Sequence, residues 1–165
     1  MKRKLPDFAK LQNAYLGDGW TADQVKKKIG GSVDSGDIEN TCIVRLSERL
    51  NAAGHLIPAW TAPFRTRRGN DKRWYGLRVD EFWTYMLGHY GKPAIHRMAP
   101  LKMEEFEGPQ GIIGFRVPFK GATGHFTLWD GAALLYGGRD HDYFKVATEA
   151  ALWQAGGIQV SQAPV

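Results

Sequence analysis

Up to about residue 91 the large apolar side chains of this chain recur three or four positions apart, and beyond Pro93 they alternate. Helical spacing followed by strand spacing calls for helices first and a run of strands afterwards. Phe8, Leu11 and Tyr15 share a helical stripe from Asp7 to Leu16, which GlyAspGly at 17–19 ends. Thr21 and Gln24 have the spacing of a capping box for a short helix through Ile29, with Val25 and Ile29 inward and Gly30-Gly31 as the stop. Asn40 or Thr41 can cap a third helix from Cys42 to Ala53, striped by Ile43, Leu46 and Leu50, with Gly54 just past its end. Residues 58–78, rich in Pro, Arg, Gly and Trp, read as a long loop. Asp80 opens a fourth helix carrying Phe82, Trp83, Met86 and Leu87 before Gly88 and Gly91. Strands are expected over 110–118 and 123–130, and a third over 132–136 across the turn at Asp130-Gly131. A last helix is expected over 144–155. The fold class is α+β, with N-terminal helices packed on an antiparallel sheet, and the chain reads as one domain over 1–165.

Composition narrows the chemistry. Hydrophobic residues make up 43% and aromatic residues 12%, which suits a folded globular chain. One cysteine excludes an internal disulfide and any multi-thiolate metal site. No spacing of zinc ligands is visible, so neither metal nor cofactor is expected. MKRKLPDF is charged but no apolar run follows it, so no signal peptide is expected, and no segment is long enough to insert in a membrane. The formal charge of +5 is clustered at Lys2–Lys4, Lys26–Lys28 and around Arg65, Arg67, Arg68, Lys72 and Arg73. Such a surface attracts polyanions, whether nucleic acid, anionic lipid or cell wall, and it is equally what a solvated basic face looks like.

The lone thiol sits where a helix begins. A helix N-terminus presents unpaired N–H groups and the positive end of the dipole, both of which favour a thiolate. The same N–H groups suit the oxyanion of an acyl intermediate. The plainer explanation of Cys42 is a small buried hydrophobe. Among five histidines, His125 shares a strand face with Thr127, while Phe126 and Leu128 take the other face. That places an imidazole either in an active-site cleft or on an open sheet face. His55 follows a helix end, His89 lies among aromatics, and His96 and His141 fall in loops. A third group would orient the imidazole. Asp130 is better used by its turn, which leaves Asp140 and Asp142, with Asp140 preferred.

AsnThrCysIleValArgLeuSer (40–47), AsnAlaAlaGlyHis (51–55) and ThrGlyHisPheThrLeuTrpAspGly (123–131) together resemble the fourth subfamily of type VI secretion amidase effectors. GlyIleIleGlyPhe (111–115) and AspTyrPhe (142–144) match less closely. That family is one of papain-like, NlpC-type cell-wall peptidases. The resemblance implies a papain-like NlpC-type fold with Cys42 as nucleophile, His125 as general base and an acid in the Asp140–Asp142 region. It implies a toxin made in a bacterial cytoplasm and passed by the secretion apparatus to the periplasm of a rival Gram-negative cell. There it would cut between D-glutamate and meso-diaminopimelate in peptidoglycan stem peptides. A cognate immunity protein is implied in the producing strain. Some relatives close the acidic loop with a disulfide, which a chain with one cysteine cannot form. The rival readings are another Cys-His acyl-transfer enzyme, such as a deamidase, a basic nucleic-acid-binding module, and a structural or adaptor domain with an idle thiol. No recognition helix or stacking motif supports nucleic acid as a partner.

Overall fold

The computed structural model describes residues 2–118 and 124–157; Thr123, expected to start the second strand, lies outside them. Helix α1 (Phe8–Gln12) is shorter than its stripe and stops before Ala14, which adopts a positive φ of 59°. Helix α2 (Ala22–Ile29) carries the expected capping box in both directions, Thr21 Oγ1 accepting from Gln24 N and Gln24 Oε1 accepting from Thr21 N. Helix α3 (Cys42–Ala52) buries Ile43, Leu46 and Leu50 as expected.

The expected loop of 58–78 contains a short antiparallel hairpin, β1 (Thr66–Arg68) with β2 (Trp74–Gly76). Helix α4 (Val79–Tyr90) follows; it runs through Gly88 and ends at Gly91, whose φ of 84° suits only a residue without Cβ. Strand β3 (Ile95–Met98) was not foreseen in the alternation, and β4 (Gly111–Arg116) and β5 (Gly124–Trp129) fall inside the expected strands.

The C-terminal expectations need correction. Helix α5 covers only Tyr143–Val146, and most of the rest of the expected helix is strand β6 (Glu149–Gln154). Residues 132–136 form no strand; one isolated bridge joins Trp129 to Leu134. The four-stranded sheet has the order β3-β6-β4-β5 and is antiparallel throughout. Thus β6 sits at the centre and β5 at an edge.

Alternation sorts the sheet residues into two layers. Ile112, Phe126, Leu128, Ala151 and Trp153 pack with Ile43, Leu46, Phe82, Trp83 and Met86 of the helices. Phe126 meets Phe82 edge-on at 5.0 Å between ring centroids, and Trp153 meets Trp83 at 5.8 Å. Ile113, Phe115, Trp129 and Leu152 pack on the opposite side with Phe106, Tyr143 and Ala147. Each large side chain buried this way stabilises the fold by roughly 1.5–3 kcal/mol. The result is α+β with α3 and α4 on one sheet face and the short α5 on the other, and it holds α3 against the edge strand β5.

Candidate active site

Of the two caps foreseen for α3, Asn40 makes the bond: its Oδ1 accepts from Cys42 N at 3.0 Å. Thr41 precedes the helix without a capping bond, and its Oγ1 accepts from Arg45 Nε at 3.0 Å. The Cys42 thiol is fully buried and packs in one cluster with Ile43 and Phe126. Burial pushes this thiol up to about 11, over the opposing pull of the Phe126 amide and the Arg45 charge. The packing against Phe126 matters to the placement of the thiol, because Phe126 directly follows His125 in β5.

His125 lies opposite Phe115 in the β4–β5 ladder and is 4% exposed. Its ring stacks on Tyr143 with centroids 4.4 Å apart and planes 6° from parallel, and Tyr136 stands at 5.5 Å. His125 Nε2 lies 2.8 Å from the Tyr136 carbonyl oxygen. A carbonyl only accepts, so Nε2 carries the proton and Nδ1 of the neutral ring holds the lone pair. Burial pushes the imidazole down to about 4, against the favourable Tyr136 carbonyl. Gly137, at a φ of 82°, is required here: a Cβ on it would lie 2.8 Å from His125 Cε1 and Nε2. The strand's polar face is closed rather than open, since Tyr15 Oη and Thr127 Oγ1 share a hydrogen bond of 3.1 Å beside it.

Burial thus disfavours the charged form of both groups, raising the thiol and lowering the imidazole. The bond that orients the imidazole comes from a backbone carbonyl. Asp140 lines the cavity of about 270 Å³ that also borders His125, Asn40, Tyr136 and Tyr143. Asp142 sits at the start of α5, where its carbonyl accepts from Lys145 N and Val146 N, and does not border that cavity. Asp130 serves the turn, its Oδ1 accepting from Ala132 N and Ala133 N. Among the other histidines, His55 Nδ1 meets Tyr90 Oη at 2.8 Å, and His96 lies on β3 with Nε2 2.6 Å from Glu149 Oε2. His89 packs against Tyr85, and His141 borders the His125 cavity.

Asn40 also borders a groove of about 800 Å³ walled by Trp60, Arg65, Arg67 and Arg78. Part of the Trp-Arg segment thus lines a cleft that runs on from the site, whereas Arg68, Arg73 and Trp74 do not border it. Sequence reasoning missed the Tyr136 carbonyl, Tyr143, Gly137 and the buried Arg45. Only the Gly137-Gly138 pair carried a visible signal, that of a sharp bend. Among the described residues no group of three or more His, Cys, Asp or Glu side chains is placed to hold a metal ion, and no helix is long and apolar enough to cross a membrane.

The sequence profile of one family matches residues 38–153; it is described as type VI secretion system (T6SS), amidase effector protein 4. The effector Tae4 from Salmonella typhimurium, solved in complex with the immunity Tai4 from Enterobacter cloacae, superposes with a TM-score of 0.80 at 30% identity, covering 91% of this chain and 99% of that one. The effector of the Tae4–Tai4 complex from Enterobacter cloacae gives a TM-score of 0.80 at 30% identity, over 91% of this chain and 98% of that one. Tae4 from Enterobacter cloacae solved as the effector gives 0.80 at 29% identity, over 94% and 99%. A search of curated protein sequences finds no match.

Proposed function

We propose a mechanism on one premise: the chain belongs to the type VI secretion amidase effector 4 family, whose members are peptidoglycan amidases delivered into target cells. In this reading Cys42 is the nucleophile and His125 Nδ1 the general base. The observation that carries it is the packing of Cys42 in one buried cluster with Phe126, the neighbour of a buried imidazole whose Nε2 is engaged by the Tyr136 carbonyl.

Because burial disfavours the charged form of both groups, the proton leaves Cys42 for His125 as the sulfur attacks, rather than beforehand. The Cys42–carbonyl bond forms while the carbonyl electron pair moves to oxygen. The backbone N–H of Cys42, released from Asn40 Oδ1, receives that oxyanion together with the positive end of α3. His125 then gives its proton to the leaving amine as the C–N bond breaks, and water hydrolyses the thioester. The Tyr136 carbonyl holds the tautomer, and the Asp140 carboxylate, on the same cavity wall, stabilises the transient imidazolium.

The scissile bond is the one between D-glutamate and meso-diaminopimelate, and the groove of Trp60, Arg65, Arg67 and Arg78 receives the stem peptide and its carboxylates. The reaction takes place in the periplasm of the target cell. The solved complexes of relatives with immunity Tai4 support a cognate immunity protein for this chain as well. The test is digestion of purified Gram-negative sacculi by the wild type and by Cys42→Ala, with the released fragments identified by mass spectrometry. Cleavage at that bond by the wild type alone is the expected result. Equal action or equal inaction of the two proteins overturns the cysteine reading.

A further inference from the structure

Arg45 is fully buried, one helical turn beyond Cys42 on α3. A buried guanidinium is costly to desolvate, and each of its three nitrogens donates here. Nε donates to Thr41 Oγ1 at 3.0 Å, Nη1 to the carbonyls of Leu16 and Gly17 at 2.8 Å each, and Nη2 to the Trp20 carbonyl at 2.9 Å. The face of the fork carries the Tyr136 ring, 3.6 Å from the guanidinium carbon to the ring centroid. The carbonyl of that same Tyr136 takes the proton of His125 Nε2. The next residue, Gly137, donates its N–H to Asp18 Oδ1 at 2.9 Å, so the 16–20 segment that Arg45 gathers also ties down the Tyr136–Gly137 bend.

We propose that Arg45 is a positioning residue for the reaction: its guanidinium is the platform on which Tyr136 rests, and that stack sets the carbonyl that orients His125. The inference rests on the reading of Cys42 and His125 as the reacting pair. Flat stacking of arginine on an aromatic ring, together with a rigid set of donors, suits this task in a way lysine cannot copy. The Arg45 charge also favours the Cys42 thiolate and disfavours the His125 imidazolium.

The test compares Tyr136→Leu, Tyr136→Phe, Arg45→Met and Asn51→Ala for kcat, KM, thermal unfolding and the NMR signal of the His125 Nε2 proton. Asn51 is a buried polar residue away from the site, bonded to Trp74 O and Ile57 N, and serves as the control for lost stability. Tyr136→Leu should lower kcat about 100-fold with KM unchanged, the usual effect of a small misplacement of a reacting group, and lose the protected Nε2 proton. Tyr136→Phe, which keeps the ring face, should restore both. Arg45→Met should lose both, whereas Asn51→Ala, with a comparable fall in unfolding temperature, should keep both. The proposal is overturned if Tyr136→Leu keeps kcat and the Nε2 proton, or if Asn51→Ala loses as much kcat as Arg45→Met. If wild type and Cys42→Ala prove equally inactive, the cysteine reading fails on its own. The Nε2 proton then decides the positioning alone: its loss in Arg45→Met and Tyr136→Leu supports it, and its persistence overturns it.

Discussion

Helix α3 carries Cys42 while the bend at 130–142 orients His125 of β5, so the two halves of the candidate site are placed by different means. Cys42 is placed by local rules: a side-chain cap two residues upstream, a helical stripe of Ile43, Leu46 and Leu50, and a fully packed first turn. His125 is placed by convergence. Its orienting carbonyl comes from Tyr136, its stacking partner from Tyr143, its clearance from Gly137, and the anchor of that bend from Asp18 and Arg45. A nucleophile on a helix tolerates change around it, because the helix is stabilised along its whole length. An imidazole held by a bend fails with any one of several distant residues.

Five measurements press on that contrast. Cys42→Ala should lower kcat by about 10⁶-fold, the scale of losing the nucleophile of a hydrolytic triad, with little change in fold. Retained activity in a wall-digestion assay would remove the helix start from the chemistry altogether.

The second concerns pH. The ordinary imidazole value is 6.5, and burial holds His125 down at about 4. Between those values the unfolded chain binds a proton that the folded chain refuses, so stability should fall as pH drops through that window. The full loss is about 3 kcal/mol, and His125→Phe should abolish most of it in urea unfolding at pH 7 and pH 4. An unchanged acid dependence in that variant would mean the imidazole is less enclosed than its stack on Tyr143 implies.

Third, Gly137→Ala should lower kcat about 100-fold while the protein stays folded, since the added Cβ meets the imidazole at 2.8 Å. Wild-type kcat here would show that the bend yields. Fourth, Asp140→Asn should lower kcat about tenfold and Asp142→Asn should not, a modest loss for a charge that assists without touching the ring. A larger loss in the second variant would transfer the acidic role to the start of α5. The smallest effect is reserved for the helix side. Asn40→Ala should cost about 1 kcal/mol of stability as a lost cap, with kcat within a few-fold of the wild type.

The same contrast governs how much could be read from the amino-acid order. The capping box of Thr21 and Gln24, the start of α3, and the strands around Ile112 and Phe126 depend on neighbours in the chain, and those features were legible. Residues 149–154, GluAlaAlaLeuTrpGln, look helical because Ala, Leu, Glu and Gln favour helices. They form a strand because β3 and β4 bond them on both edges and both faces are covered, which erases the alternation that marks a half-buried strand. The expected strand at 132–136 turns away instead, with positive φ at Gly131 and Gly137 bending the chain back toward His125. The proposed pairing of Cys42 with His125 rests on two residue types in suitable elements. The Tyr136 carbonyl was not, since every residue owns a carbonyl and only the fold singles one out.

The central place of β6 has a consequence for the order in which the molecule is completed. Strands β4 and β5 can pair as soon as both have been made, but β4 keeps one open edge, and β3 has no partner in the sheet, until residues 149–154 arrive between them. Trp153 and Ala151, which finish the wall beneath Trp83 and Phe126, come with that last strand. Until β6 is in place the helices lie over an unfinished floor, because the wall beneath Trp83 and Phe126 lacks Trp153 and Ala151. For an amidase, this arrangement ties the completion of the cleft wall to the entry of residues 149–154 between β3 and β4.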